Sequence, residues 1–160
     1  MYGSMCEGMQ PVDEAQKEEF WRKQIEQGKK NAVIWLKQAA YDLEAAGMST
    51  TNAFHEWACF QSEQSAEKAL KALIVSSGRT APKIHKLSAL VGVAKKYVPA
   101  LRQHYLQISM LQAFTFIARY PFLLPGEYDA PHNYITKEEA LRCIEEAREV
   151  IKITEALLKD

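Results

Sequence analysis

The chain has 160 residues, of which 48% are hydrophobic and 25% are charged, as in ordinary globular proteins. Twenty basic and twenty acidic side chains cancel, so the net charge gives no strong signal for nucleic-acid binding. Such a role would need a local basic cluster. No apolar run is long enough to cross a bilayer, and the cysteines Cys6, Cys59 and Cys143 lack metal-ligand spacing, which indicates reduced thiols in a cytoplasmic protein.

The N-terminal part of the chain divides into two segments. Residues 1–12 contain two glycines and Pro11 but no periodic apolar pattern, so we expect them to be disordered. A single domain is expected over residues 13–160, and its first part, residues 13–30, forms an extra helix or extension. The sequence leaves open whether this helix stops near Gly28 or runs on.

The next helical pattern has its inward positions at Val33, Leu36, Ala39 and Ala40, and Gly47 is expected to end it in a left-handed conformation. The strongest helix follows over residues 54–75. Its apolar face, which includes Phe54, is so wide that several helices must pack around it. The remaining strip of this central helix is expected to face solvent and carries Glu56, Glu63, Glu67 and Lys71.

The second half of the chain continues the helical pattern. Gly78 should end the central helix, and a short helix is expected over residues 85–97. Pro99 suits the first turn of a helix that ends at Arg119, because Pro121 cannot continue it. Thr136 and Glu139 form a capping box before a final helix with Ala140, Ile144, Ala147, Ile151 and Leu158 inward. No window alternates with period two, so the prediction is an all-α, up-and-down bundle of five or six helices.

A cluster of cations lies in the middle of the chain, and it could bind an anion such as a nucleotide phosphate. Each of these residues also has a structural alternative. The lysines could simply face solvent, His85 could cap its helix, and Arg119 could interact with the dipole at the end of its helix. Zinc spacings and an activated nucleophile are lacking, so we predict neither a metal site nor catalytic residues. The candidate anion-binding residues are Lys68, Lys71, Arg79, Lys83, His85, Lys86 and Arg119.

Three segments together resemble the HEPN domain family. Trp35–Leu43 (WLKQAAYDL) is similar to the opening helix of that family, Gln61–Leu73 (QSEQSAEKALKAL) to its Q-x-x-x-E-K-A-L-K-A-L helix, and Arg119–Pro121 to its R-Y-P motif. The similarity covers residues 31–159 and implies a helical bundle that is often dimeric. A narrower resemblance, through E-W-A-C-F at residues 56–60 and R-Y-P-F-L-L-P at residues 119–125, is to the sacsin-type HEPN domains of a large chaperone-linked protein.

The resemblance implies two kinds of activity. One branch of the family contains metal-independent ribonucleases whose motif is an arginine, four to six further residues and then a histidine. In this chain the positions where that histidine would follow Arg119 are Leu124, Pro125 and Gly126. Only a displaced histidine, His132 or His85, could therefore act as the base. Arg79 and His85 match the spacing, but they lie outside the usual place of the motif. The other branch binds nucleotides or pairs with a small nucleotidyltransferase.

We therefore expect a non-catalytic homodimerisation module that binds a nucleotide, GTP or ATP, without requiring a cofactor, and that could have a chaperone or nucleotidyltransferase partner. Exposed aromatic residues are the natural dimer interface. The alternatives are a ribonuclease with a displaced histidine and a purely structural protein–protein interaction module. The residues expected at the dimer interface are Trp57, Phe60, Tyr120 and Phe122.

Overall fold

Six α-helices make up the described part of the chain, which contains no β-strand and confirms the all-α prediction. The computed structural model describes residues 13–124, 126 and 130–159, so the expectation for residues 1–12 lies outside the described residues. Short 3-10 turns at Pro99–His104 and Pro121–Leu123 precede and follow the fourth helix. The helices are α1 (Glu14–Thr51), α2 (His55–Ser76), α3 (Leu87–Ala94), α4 (Tyr105–Arg119), α5 (Pro131–Tyr134) and α6 (Lys137–Lys159).

Helix α1 runs without interruption for 38 residues, which at 1.5 Å per residue is about 57 Å. The expected stop at Gly47 was wrong: this glycine is helical, and the chain reverses only at Asn52 and Ala53, where Ala53 has a φ of 63°. A Cβ at Gly47 would meet nothing within 4 Å, so packing does not require glycine there. At Gly28, in contrast, a Cβ would lie 2.0 Å from the carbonyl oxygen of Val75, so glycine allows α1 to touch the end of α2.

Small side chains bring α1 and α2 together along their length. Ala32, Ala39 and Ala46 repeat every seven residues on α1 and are fully buried. The Ser65 hydroxyl of α2 donates a hydrogen bond to the carbonyl oxygen of Ala39 at 2.7 Å, which is possible only because the backbones approach closely. The expected inward face is rotated: Val33 is 49% exposed and Ala40 is exposed, because the row formed by Ala32, Ala39 and Ala46 faces α2.

Helix α2 is the centre of the bundle and contacts α1, α3, α4 and α6. Two predictions for it were wrong. Phe54, expected inward, caps the helix and is 56% exposed, while the charged strip of Glu63, Glu67 and Lys71, expected in solvent, is buried. The neighbouring helices cover this part of the strip, and the charges of Glu67 and Lys71 are paired inside the protein.

The remaining elements largely follow the sequence pattern. Helix α3 is shorter than expected, but it buries Leu87, Leu90, Val91 and Ala94 as predicted. Helix α4 ends at Arg119. The capping box is formed, because the Thr136 backbone N–H donates to Glu139 at 2.7 Å and the Glu139 N–H donates to the Thr136 hydroxyl at 3.2 Å.

Candidate functional site

Arg119 ends α4 beside a set of aromatic rings. Its guanidinium carbon lies 5.3 Å from the ring centroid of Phe60, 5.4 Å from that of Tyr120 and 5.8 Å from that of Phe116. No carboxylate of the described residues comes within ion-pair distance of it. The rings therefore hold an exposed guanidinium whose N–H donors are not taken up by a salt bridge.

A groove of about 380 Å³ lies beside this arginine, between the start of α2 and the end of α4. Glu56 lies in its wall, and the Oε2 atom of this carboxylate is buried without a hydrogen-bond partner among the described residues. A buried acceptor of this kind is costly unless a ligand, water or partner supplies a donor. We call this the aromatic groove; it is lined by Glu56, Trp57, Phe60, Ala118, Arg119 and Tyr120.

The four residues expected at a dimer interface all lie at this groove or beside it. Trp57 contacts Phe60 edge-on with 5.8 Å between ring centroids, and Tyr120 contacts Phe122 at 5.7 Å. Trp57 is 52% exposed and Phe122 is 80% exposed, so the cluster presents apolar rings to solvent. Residues 57–60 and 120–122 thus form one surface although they are about 60 positions apart in the sequence.

Glu63 lies inside the bundle on the side of α2 that faces α4, and sequence reasoning missed it. Burial raises its pKa from 4.5 to about 7, the positive charge of Arg119 partly offsets this, and the neighbouring Glu67 raises the pKa further. The side chain is only 3% exposed. A carboxyl that changes its charge near neutral pH therefore lies within electrostatic range of the groove arginine.

Three of the predicted anion-binding residues are engaged in contacts within the protein. Lys68 pairs with Asp42 at 2.6 Å. Lys71 pairs with Glu67 at 2.7 Å, and the same Glu67 oxygen contacts Nδ1 of His85 at 3.0 Å. Because each of these groups already has a partner, an added anion would have to compete with a carboxylate for it.

The other predicted cations are far from Arg119. Arg79 follows the C-terminal end of α2, whereas Phe60 marks the level of the aromatic groove, and the helix rise places Ser76 about 24 Å beyond Phe60. Lys83 and Lys86 are exposed in the segment after Arg79. The seven predicted ligands therefore do not form one site, and only Arg119 lies in the aromatic groove.

Among the described residues, no recorded hydrogen bond or ion pair joins a histidine to Arg119 or to Arg79. His132 is exposed in α5, and no histidine lines the aromatic groove. In the second spacing match, His85 bonds to Glu67 while Arg79 lies over the rings of Trp21 and Tyr97, so the two side chains have different partners.

Cys59 and Cys143 are buried free thiols on α2 and α6. A hydrogen bond to Cys143 and burial raise the pKa of Cys59 above its usual range, which disfavours the reactive thiolate. No cluster of three or more metal-binding side chains exists within the described ranges. Among these same residues, none of the helices is long and apolar enough to cross a membrane.

Comparisons with known proteins find similarity to the HEPN domain and to proteins of archaea and bacteria. A model of the HEPN domain matches residues 32–157. "Putative toxin MJ1304" of Methanocaldococcus jannaschii is 26% identical over 141 residues, covering 82% of this chain and 90% of that protein. The crystal structure of TT1696 from Thermus thermophilus has a TM-score of 0.71 at 26% identity, covering 78% and 96% of the two chains. ST0689, an archaeal HEPN homologue, has a TM-score of 0.64 at 30% identity, covering 79% and 97%.

Proposed function

Because this chain belongs to the HEPN domain family, we propose that it is a non-catalytic module that pairs with a second copy at the aromatic groove and binds a nucleotide there through Arg119. The observation that carries the proposal is the arrangement of Arg119, an exposed guanidinium that forms no salt bridge with a described residue and lies beside three aromatic rings. A planar guanidinium suits phosphate oxygens, and aromatic rings can stack on a base. The ligand site is narrower than the sequence suggested, since Lys68 and Lys71 have carboxylate partners.

Pairing of two copies is supported by the exposed rings around the groove. Trp57, Tyr120 and Phe122 expose aromatic surface next to an arginine, and aromatic residues and arginine are the residue types enriched at interfaces. The orphaned Glu56 oxygen could accept a hydrogen bond from either a partner copy or a ligand. A shared groove at the interface would then bury the rings and enclose the nucleotide.

The sacsin-type resemblance supports the same location. Its two segments, residues 56–60 and residues 119–125, contribute every residue that lines the aromatic groove except Ala118. We therefore propose that the chain is a module of the sacsin type, linked to a chaperone or nucleotidyltransferase partner in the cytoplasm, where free thiols such as Cys59 and Cys143 remain reduced.

A ribonuclease is the second candidate, and the specific observation in its favour is the 26% identity to a relative named as a putative toxin. RNA cleavage would need a base near Arg119. His132, on the short helix that follows the loop after Arg119, is the histidine to test, and Glu63 is the carboxyl to test because its pKa is raised to about 7.

Two assays on the intact protein separate these functions. We expect calorimetric titration with GTP and with ATP to give saturable binding, and incubation with single-stranded RNA in the presence of a chelator to give no cleavage. RNA cleavage that disappears in His132→Ala or Glu63→Gln would overturn the non-catalytic proposal. Titrations with no heat beyond dilution, together with a dimer in sedimentation, would leave only the structural interaction module.

A further inference from the structure

A second arginine, at the opposite end of α2, is also held between aromatic rings. The guanidinium carbon of Arg79 lies 4.8 Å from the ring centroid of Trp21 and 5.5 Å from that of Tyr97. Trp21 belongs to the N-terminal part of α1, and Tyr97 follows α3. Arg79 is exposed, and no described carboxylate pairs with it. The two rings therefore hold the guanidinium in place, and no salt bridge with a described residue takes up its N–H donors.

A pocket of about 410 Å³ adjoins Arg79 between α1 and the turn that follows α2. Arg79 is the only charged residue in its lining. The Gln27 side-chain amide donates to the side-chain Oδ1 of Asn31 at 3.1 Å, which leaves the side-chain oxygen of Gln27 and the side-chain NH₂ of Asn31 available for a ligand. We call it the amide pocket; its lining consists of Gln24, Gln27, Gly28, Asn31, Ile34, Trp35, Val75, Gly78, Arg79, Thr80 and Ala81.

The polar groups of the amide pocket suit a carboxylate. One guanidinium matches its single charge and its two oxygens, with which it can form two parallel hydrogen bonds. The carboxamides of Gln24, Gln27 and Asn31 can both donate and accept, as a peptide backbone requires. We propose that the amide pocket binds a glutamate or aspartate carboxylate in a segment of a partner protein, with Arg79 as the bidentate ligand.

A second depression favours an extended peptide over a small acid. On the N-terminal part of α1, a surface cavity of about 510 Å³ is lined by Trp21, whose ring contacts Arg79, and otherwise by Glu14, Lys17, Glu18, Arg22 and Ile25. A peptide whose carboxylate meets Arg79 can continue past Trp21 into this cavity. All the residues that line this cavity precede residue 32, where the HEPN domain match begins, as do Gln24, Gln27, Gly28 and Asn31 of the amide pocket. The site therefore lies where the N-terminal part of α1 meets the HEPN domain.

The test uses the whole chain and amide-resolved NMR at millimolar peptide. The probe is a blocked heptapeptide of alanine and leucine with one central glutamate, and its control has glutamine at that position. We expect the glutamate peptide to shift the Gly28 and Gly78 amides and the Trp21 indole N–H, and the glutamine peptide to bind at least tenfold more weakly. Equal binding of the two peptides, or no shifts at these groups, would overturn the proposal.

Variants and small anions complete the design. Arg79→Gln should lose binding at least tenfold, and Arg79→Lys, which keeps the charge near the rings, should lose it at least threefold. Arg102→Gln, at another exposed arginine, should bind the glutamate peptide as the wild type does. Arg119→Gln should also bind this peptide normally, and a loss of nucleotide binding in that variant would bear on the proposed function and not on the amide pocket. Acetate binding as tightly as the peptide would overturn the role of a partner segment, and inorganic phosphate binding more tightly than acetate would overturn the carboxylate assignment.

Discussion

The Arg119 guanidinium lies 5.3 Å from the ring centroid of Phe60, and this contact joins the end of α4 to the first half of α2. The two residues are 59 positions apart in the sequence, and helix packing alone brings them together. Because the rings hold the guanidinium at the surface without neutralising it, the contact leaves Arg119 able to bind an anion.

Phe122→Asp should dissociate the proposed dimer without unfolding the monomer. Phe122 is 80% exposed beside the aromatic groove, so a charge there costs little in the monomer but would have to be desolvated in the interface. Sedimentation equilibrium should show at least a tenfold rise in the dimer dissociation constant. Leu106→Asp is the matched control, because Leu106 is 75% exposed and lies outside the groove lining. An equal loss of dimer in both variants would contradict the assigned surface.

Glu63→Gln should change how stability depends on pH. The folded state raises the pKa of this carboxyl from 4.5 to about 7, so the folded protein holds the proton more tightly than the unfolded chain. The wild type therefore loses stability as pH rises from about 4.5 to about 7, by at most about 3 kcal/mol, whereas the variant lacks this loss. Urea unfolding at pH 5 and pH 8 measures the difference. A wild-type-to-variant difference that is the same at both values would contradict the buried carboxyl.

Gly28→Ala and Gly47→Ala form a matched pair within α1. An added Cβ at residue 28 would collide with the Val75 carbonyl oxygen, and we expect a loss of about 1–3 kcal/mol of stability. The same change at residue 47 enters open space within a helix and should stabilise by about 0.5–1 kcal/mol. Thermal unfolding followed by circular dichroism reports both. Two variants that shift in the same direction would show that α1 does not approach α2 as described.

Glu67→Gln should destabilise the bundle by about 3–5 kcal/mol, because it leaves the buried Lys71 ammonium without its carboxylate. Adding Lys71→Met to this variant should recover much of the lost stability, because no buried charge is then left unpaired. In a double-mutant cycle, the double variant should therefore lose less stability than the sum of the two single losses. His85→Ala should have a small effect, since the His85 side chain is 79% exposed. Additive losses in the double variant would argue against a buried pair.

The sequence predicted those features that depend on neighbouring residues. The capping box of Thr136 and Glu139, the end of α4 at Arg119 and the inward face of α3 follow from short-range patterns and are confirmed. It did not predict the burial of Glu67 and Lys71, because an i,i+4 ion pair looks the same on an exposed strip and inside a bundle. Only tertiary contacts, such as that of Lys71 with the Trp35 ring of α1 and that of Glu67 with His85, distinguish the two cases.

The two glycines of α1 show the same limit. Gly28 and Gly47 are identical as sequence signals for a helix end, yet both are helical, and only Gly28 has a packing reason. The sequence predicted which residues belong to candidate sites, but not which of them lie together in the structure. Arg119 and the four aromatic residues proved to be neighbours, whereas Arg79 lies near the opposite end of α2, a separation that depends on the helix length.

The central claim is that Arg119, and not the paired lysines, meets the nucleotide. The most direct measurement is a crystal structure of the protein soaked with GTP or ATP, in which the phosphate groups are located in the electron density. We predict a phosphate within hydrogen-bond distance of the Arg119 guanidinium and a base against the rings of the aromatic groove. Phosphates bound at Lys68, Lys71 or Lys83 with the aromatic groove empty would contradict the account.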